Sequence, residues 1–348
     1  MRIALTASLV APLIEGEANG PHSVIVDLAR GLAARGHSTT VYAACGSAAA
    51  GVTVREIDVD PVAAEASISA GDGPPYAASA ALERGFAVLF AAVAHDAPDV
   101  VSQHAFDGPA IRLSETLPVI HTLHLPADVG DVLDAARDTL RPLATVSEAA
   151  RLDWLSHGVH SIVLRNGVPD LAPVGQSVVS GQALICGRVS PEKGTHMAIR
   201  AARAAGMQPL VVGSIYDPAY HEREVAPLLR EGEFIGPRPR SEVARLMAGS
   251  EVLIMASVWD EPFGLVAAEA QMAGCPVVAF RRGALPEIVI EGETGTLVEP
   301  DDEEALAAAA RSAAKFDRAH IRASAKERLG VERMLDDYER ALSEISRK

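Results

Sequence analysis

Short apolar runs alternate with stretches of helical period along almost the whole chain. Ile3–Leu9, Thr39–Ala44, Val52–Val59, Val100–His104, Val119–Leu123, Ala144–Ser147 and Ile162–Leu164 read as strands. Each is too short for a helix and has the apolar content of a buried strand. Pro21–Arg35, stopped at Gly36, and Tyr76–His95 carry helical spacing. Asp170–Gln182 (DLAPVGQSVVSGQ) has no period and is rich in Gly, Pro, Ser and Gln, as a linker is. The alternation then restarts, with strands at Ala183–Cys186, Leu210–Val212, Phe234–Ile235, Val252–Ala256, Val277–Ala279 and Thr296–Val298. Asp301-Asp302-Glu303-Glu304 opens a helix whose acids complement its dipole. From Val331 onward Met334, Leu335, Tyr338, Leu342 and Ile345 recur at helical spacing. This order predicts parallel sheets covered on both faces. The expected fold is α/β, two doubly wound Rossmann-like domains facing a cleft. Their expected bounds are 1–169 and 183–330, with the linker at 170–182 and a C-terminal helix at 331–348.

At 348 residues, two domains rather than one core are expected. The net charge of -15 argues against nucleic acid or an anionic membrane surface as partner. No apolar stretch is expected to reach the ~20 residues a membrane helix needs, so no stable membrane insertion is expected. The first apolar run, followed by Glu15 and Glu17, reads as a strand rather than a leader. Cys45, Cys186 and Cys275 are few and scattered, which suggests no disulfide framework and a reducing cytoplasm.

Ligands of doubly wound sheets bind at the carboxyl ends of the strands. In the second half, three such loops carry chemistry. Gly187–Gly194 (GRVSPEKG) places Arg188 and Lys193 beside the helix expected near Thr195. Cations next to helix N–H groups suit a pyrophosphate, although loop cations are often merely solvated. Asp260–Gly274 (DEPFGLVAAEAQMAG) lies between two buried strands and contains a short helix starting near Gly264. That start exposes unpaired N–H groups, and Gly264 has no side chain to block an anion. Glu261 precedes the helix. Glu269 lies on it, about 7.5 Å further along the axis, and alone reads equally well as dipole compensation. Arg281–Glu287 (RRGALPE) adds Gly283 and Glu287, the latter again open to either reading. Two anion-friendly loops on one sheet edge favour the functional reading.

Other chemistries lack their motifs. The first strand is not followed by G-x-G-x-x-G, and neither G-x-x-x-x-G-K-[ST] nor H-E-x-x-H occurs. Asp58 and Asp60 read as a surface strand end rather than a metal site. His121 and His124, three apart on one strand, should face opposite sides, so at most one would enter a site.

GRVSPEKG, EPFGLVAAE, GCPVVAFRRGALPEIV and GETGTLVEP together resemble the nucleotide-sugar half of the retaining GT-B glycosyltransferases of family 4 (glycosyltransferase group 1). ANGPHSVIVDLARGLAARGH, PDVVSQH, PVIHTLH, TVSEAARLDWL and RNGV resemble the first half more loosely. The resemblance implies a configuration-retaining transferase moving a sugar from a nucleotide-diphosphate sugar to a hydroxyl. Arg188 and Lys193 would neutralise the diphosphate as it leaves. Phe263, Gly264 and Leu265 would form the donor site, with the Gly264 and Leu265 N–H groups on the phosphates. Glu261 would bind hydroxyls of the transferred sugar and Glu269 those of the ribose. His124 matches the family's cleft histidine, and Gly20 would let the first-domain loop approach the sugar phosphate. The family loop has two adjacent glycines where this chain has Asn19-Gly20, and His22 stands where an acid or amide is usual. Both differences bear on sugar identity and acceptor geometry.

Retention is attributed to attack on the same face, with the leaving phosphate taking the acceptor proton. That scheme requires no metal and no cofactor; the nucleotide sugar is a co-substrate, a UDP-sugar being favoured over GDP- or dTDP-sugars. In this fold the C-terminal helix often returns to the first domain. The first half lacks a basic-aromatic membrane patch, so a soluble small-molecule acceptor is expected. A sugar-nucleotide epimerase of the same fold and a catalytically silent nucleotide-sugar-binding protein are the alternatives.

Overall fold

The computed structural model describes residues 1–15, 20–66 and 76–347. The chain divides into two compact units. The first contains residues 1–15, 20–66, 76–165 and 334–347, and the second residues 166–333.

The first unit is built on a parallel sheet of β1 (Arg2–Thr6), β2 (Ser38–Ala44), β3 (Val54–Ile57), β4 (Val100–Gln103), β5 (Val119–Leu123), β6 (Leu143–Thr145) and β7 (Ile162–Val163), in the order β3-β2-β1-β4-β5-β6-β7. The order reverses between β1 and β4, which pair in parallel from Ile3↔Val100 to Thr6↔Gln103. Its helices are α1 (Gly20–Ala34), α2 (Tyr76–Asp96), α3 (Gly108–Arg112), α4 (Gly130–Asp138) and α5 (Glu148–Ser156). β4 and β5 are buried at every position, as the near-continuous apolar runs require for strands covered on both faces.

α2 corrects one expectation. Ala77–Asp96 is 20 residues long with mean hydropathy 1.5, long and apolar enough to cross a membrane by length and composition. Here its Ala78, Ala81, Phe86, Leu89 and Val93 are buried in the core with Tyr42, Val101 and Val119. Exposed Glu83 and Arg84 mark the opposite face. The apolar length therefore serves a core helix of this unit.

The second unit carries β8 (Val179–Cys186), β9 (Gln208–Val212), β10 (Ser250–Met255), β11 (Val277–Phe280) and β12 (Gly295–Val298), all parallel, in the order β12-β11-β10-β8-β9. Here the reversal falls between β8 and β10. Its helices begin with α6 (Thr195–Ala204), α7 (Pro218–Tyr220), α8 (Arg240–Gly249) and α9 (Leu265–Met272). They continue with α10 (Leu285–Ile288), α11 (Glu303–Arg311) and α12 (Arg318–Leu329). Asp302 caps α11 by accepting from the Ala305 N–H at 2.8 Å.

Several strand bounds differ from the sequence expectation, and two differences in the second unit have a plain cause. β8 starts at Val179, inside the expected linker, because its first residues are exposed and can be polar. Phe234 forms only an isolated bridge to Val211, since Gly232 and Gly236 bracket the segment and leave no room for a strand.

α13 (Val331–Ser346) buries Met334, Leu335, Tyr338 and Leu342, and its residues from Met334 onward belong to the first unit. Leu335 fills the space over Gly31 of α1, where an added Cβ would sit 2.4 Å from its Cδ1. Arg35 binds Asp336 at 2.7 Å, and His37 binds Glu339 at 3.0 Å.

Candidate active site

In the second unit the strand order reverses between β8 and β10, and the two loops that the sequence singles out leave those two strands. This is the position at which open α/β sheets take their ligands. Lys193, in the turn before α6, donates from Nζ to Oε1 of Glu261 at 2.6 Å and ties the two loops together. The Val258 N–H adds a bond to the Glu192 carbonyl at 2.9 Å. Glu261 is 6% exposed and also accepts from Ser257 Oγ at 2.7 Å. Burial alone would push its carboxyl up. The Lys193 charge and the hydrogen bonds from Lys193 and Ser257 outweigh that and hold it below the usual range. Lys193 Nζ lies 4.6 Å from the centre of the Trp259 ring, so an indole face and a carboxylate both hold the ammonium.

Arg188 sits over the Tyr216 ring at 4.6 Å and reaches Glu192 Oε1 at 3.4 Å. Ser190 Oγ donates to the same carboxylate oxygen at 2.6 Å. Both cations of this loop are thus held by aromatic faces and acids rather than left to solvent.

α9 begins at Leu265 with Gly264 as its N-cap. Gly264 has φ +88, a conformation that L side chains rarely adopt, and a Cβ there would meet Leu285 Cδ2 at 2.9 Å. The glycine therefore serves the turn as well as access to the helix N–H groups. Phe263 is buried among the side chains around it. Glu269, one turn on, accepts from Arg240 Nε at 2.7 Å. These two lie with Leu171, Val243, Met247 and Met272 around a small crevice of about 10 Å³. Arg240 and Ser257 are the site residues that motif reading missed; only the structure brings them to the two acids.

Gly283 has a role in the fold of the site. Its φ is +52, and an added Cβ would lie 2.4 Å from the backbone N and O of Glu261. Its N–H donates to Asp260 Oδ1 at 3.1 Å, and the Ala284 N–H donates to the Glu261 carbonyl at 2.8 Å. The third loop thus buttresses the second. Glu287 lies half buried on α10.

In the first unit, His124 follows β5 and is 5% exposed. Its Nε2 lies 2.9 Å from Nδ1 of His104, at the end of β4, and His104 Nε2 lies 2.9 Å from Ser102 Oγ. Burial pushes His124 down to about 4, with His22 acting in the same direction. Burial likewise brings His22 to about 4. His121 is also fully buried, with neither ring nitrogen hydrogen-bonded, so only His124 joins the histidine group. Asp107, hydrogen-bonded to Ser8 Oγ at 3.0 Å, is pushed up to about 6 by burial. The string PDVVSQH marks a strand end in the sequence, but the His104–His124 contact spans 20 residues and leaves no local trace. Gly20 is the first residue of α1, and Asn19 lies outside the described residues. Asp58 and Asp60 are exposed.

Residues 180–328 match the family model for glycosyl transferases group 1. A D-inositol 3-phosphate glycosyltransferase of Mycobacterium marinum is 28% identical, over 88% of this chain and 76% of its own. Anabaena HepE, solved with UDP and glucose, matches with a TM-score of 0.74 at 20% identity, covering 99% of this chain and 100% of its own. Sucrose-phosphate synthase of Thermosynechococcus elongatus matches with a TM-score of 0.78 at 19% identity, over 99% of each chain. Residues 180–328 thus carry the group 1 glycosyl transferase domain, and the chain, with its two parallel doubly wound sheets, has the GT-B fold of these structures.

Proposed function

We propose that the protein transfers a sugar from a nucleotide-diphosphate sugar, a UDP-sugar first among the candidates, to a hydroxyl of a small-molecule acceptor with retention of configuration. The observation that carries this reading is the pair of half-buried Lys193 and buried Glu261, set between the loops after β8 and β10 and next to the N-terminus of α9. A cation held at that point can meet a diphosphate, and the helix N–H groups of Leu265 and its neighbours add donors of the same sign. As the bond from the anomeric carbon to the phosphate oxygen breaks, charge grows on the leaving diphosphate. Arg188 and Lys193, both placed on this loop, would stabilise that charge. Beforehand, on donor binding, Glu261 would turn from Lys193 toward sugar hydroxyls, and Glu269 would exchange Arg240 for the ribose.

Two relatives support the substrate classes. HepE was solved with UDP and glucose, and the M. marinum protein is named for an inositol phosphate acceptor. The acceptor oxygen would attack the face from which the diphosphate leaves, and its proton would pass to the departing phosphate oxygen. The test is transfer from UDP-glucose and its common analogues to a panel of cyclitols and sugars, with the product's anomeric configuration read by NMR. Retention supports the proposal. An inverted product would refute the mechanism, and isomerisation of the sugar nucleotide without an acceptor would favour the epimerase.

A further inference from the structure

Ser102, His104 and His124 form a continuous chain of hydrogen bonds through the buried end of the first sheet. Ser102 Oγ is 2.9 Å from His104 Nε2, and His104 Nδ1 is 2.9 Å from His124 Nε2. The three side chains are buried, and both imidazoles are neutral near pH 7, since burial disfavours their charged forms. A single proton therefore lies between the two rings. Its position is set by Ser102. Among the described residues His104 Nε2 is the one hydrogen-bond partner of that hydroxyl. If the hydroxyl accepted from Nε2–H, its own O–H would be left unpaired in the core, where Ser102 is fully buried. An orphaned buried donor is costly and rare. The hydroxyl must therefore donate to Nε2, which puts the His104 proton on Nδ1. His104 then donates to Nε2 of His124, and the His124 proton must sit on Nδ1. That nitrogen makes no hydrogen bond among the described residues and is not among the fully buried atoms that lack a partner, so its N–H is open to solvent or substrate and is not orphaned.

We propose that Ser102 and His104 are positioning residues that fix His124 as its Nδ1–H tautomer, so that His124 meets its substrate as a hydrogen-bond donor and not as a base. The inference rests on the reading that His124 faces the sugar or acceptor. It assigns that histidine a defined role: it can hold an oxygen of the sugar or acceptor but cannot take the acceptor proton. The last helix takes part in the device. Tyr338 of α13 lies over His104 at 5.8 Å between ring centres, 25° from parallel, and its hydroxyl is 3.2 Å from Thr122 Oγ1 on β5. The stack limits the tilt of the His104 ring.

The test is long-range ¹H–¹⁵N NMR on the full chain labelled with ¹⁵N-histidine, with the two rings assigned through His104→Gln and His124→Asn. The expected result is a protonated Nδ1 and an unprotonated Nε2 on both rings. A proton on His124 Nε2 overturns the proposal. Ser102→Ala should give mixed tautomers at His124 and lower kcat by about two- to tenfold, the worth of one hydrogen bond, with KM for the donor little changed. Ser102→Thr should restore both. Wild-type tautomers and turnover in Ser102→Ala would also overturn it. Full turnover in His124→Ala would instead remove the reading on which the inference rests, while the tautomer result would stand on its own.

Discussion

Buried histidines make the first unit acid-sensitive, and His121 gives the cleanest test of the size of the effect. Neither of its ring nitrogens is hydrogen-bonded, and burial, with the Arg141 charge acting the same way, pushes it down to about 3. In an unfolded chain a histidine titrates near 6.5. Between those values the unfolded state holds a proton that the folded state does not. The stability tied to neutral His121 is therefore complete above about pH 6.5 and is lost as the pH falls toward 3. From pH 7.5 to pH 5 the loss is about 2 kcal/mol, at about 1.4 kcal/mol per pKa unit. His22 and His124, each brought down to about 4, add about 2 kcal/mol apiece over the same interval. Asp107 works in the opposite direction. Its pKa is raised to about 6, so the cost of burying its charge is largest at neutral pH and shrinks by about 1 kcal/mol on the way down to pH 5. His104, also buried and pushed well below 6.5, adds to the loss, so the net is several kcal/mol, comparable with the whole stability of many domains. The assay is urea unfolding at both pH values, followed by fluorescence of Trp154, which is buried in the first unit. A Trp259→Phe background silences the second tryptophan. In that background His121→Leu should lose about 2 kcal/mol less than its parent between pH 7.5 and pH 5. Equal losses in the two proteins would refute the argument.

Two further substitutions test how the donor loops are held. Lys193→Ala leaves Glu261 buried without its cation and should destabilise the second unit by about 3–5 kcal/mol in urea unfolding. Adding Glu261→Gln should recover most of that loss, and a double variant no more stable than the single would contradict the pairing. Gly283→Ala forces a side chain into a left-handed backbone that touches Glu261, and should cost about 1–3 kcal/mol with weaker nucleotide binding. Unchanged stability would show that the loop can yield.

Most of the architecture was legible in the sequence because a parallel sheet buries whole strands. β5 was marked out as Val119–Leu123 because all five residues are buried and apolar, or are drawn into the core as His121 and Thr122 are. The chain near Val179 was less legible. Its first residues are exposed, so a strand start and a linker share one composition. Among the site residues, Arg188, Lys193, Glu261 and Gly264 stood out because cations, acids and a glycine at a strand-to-helix turn have few other uses together. Arg240 opens α8, 29 residues from Glu269, and nothing near it in the chain predicts that partnership. The same holds for Ser102 and His104: a strand-end string of ordinary residues acquires its meaning only when β5 brings His124 against it.

The central claim is a diphosphate site on the second unit, and the most direct measurement is the thermal shift produced by UDP, GDP and dTDP on the wild type and on Arg188→Ala/Lys193→Ala. A ligand that binds only the folded state raises Tm by mass action. The account predicts a rise with one nucleotide, UDP first, that is absent in the double variant. No rise with any of the three, or an equal rise in the variant, would contradict it.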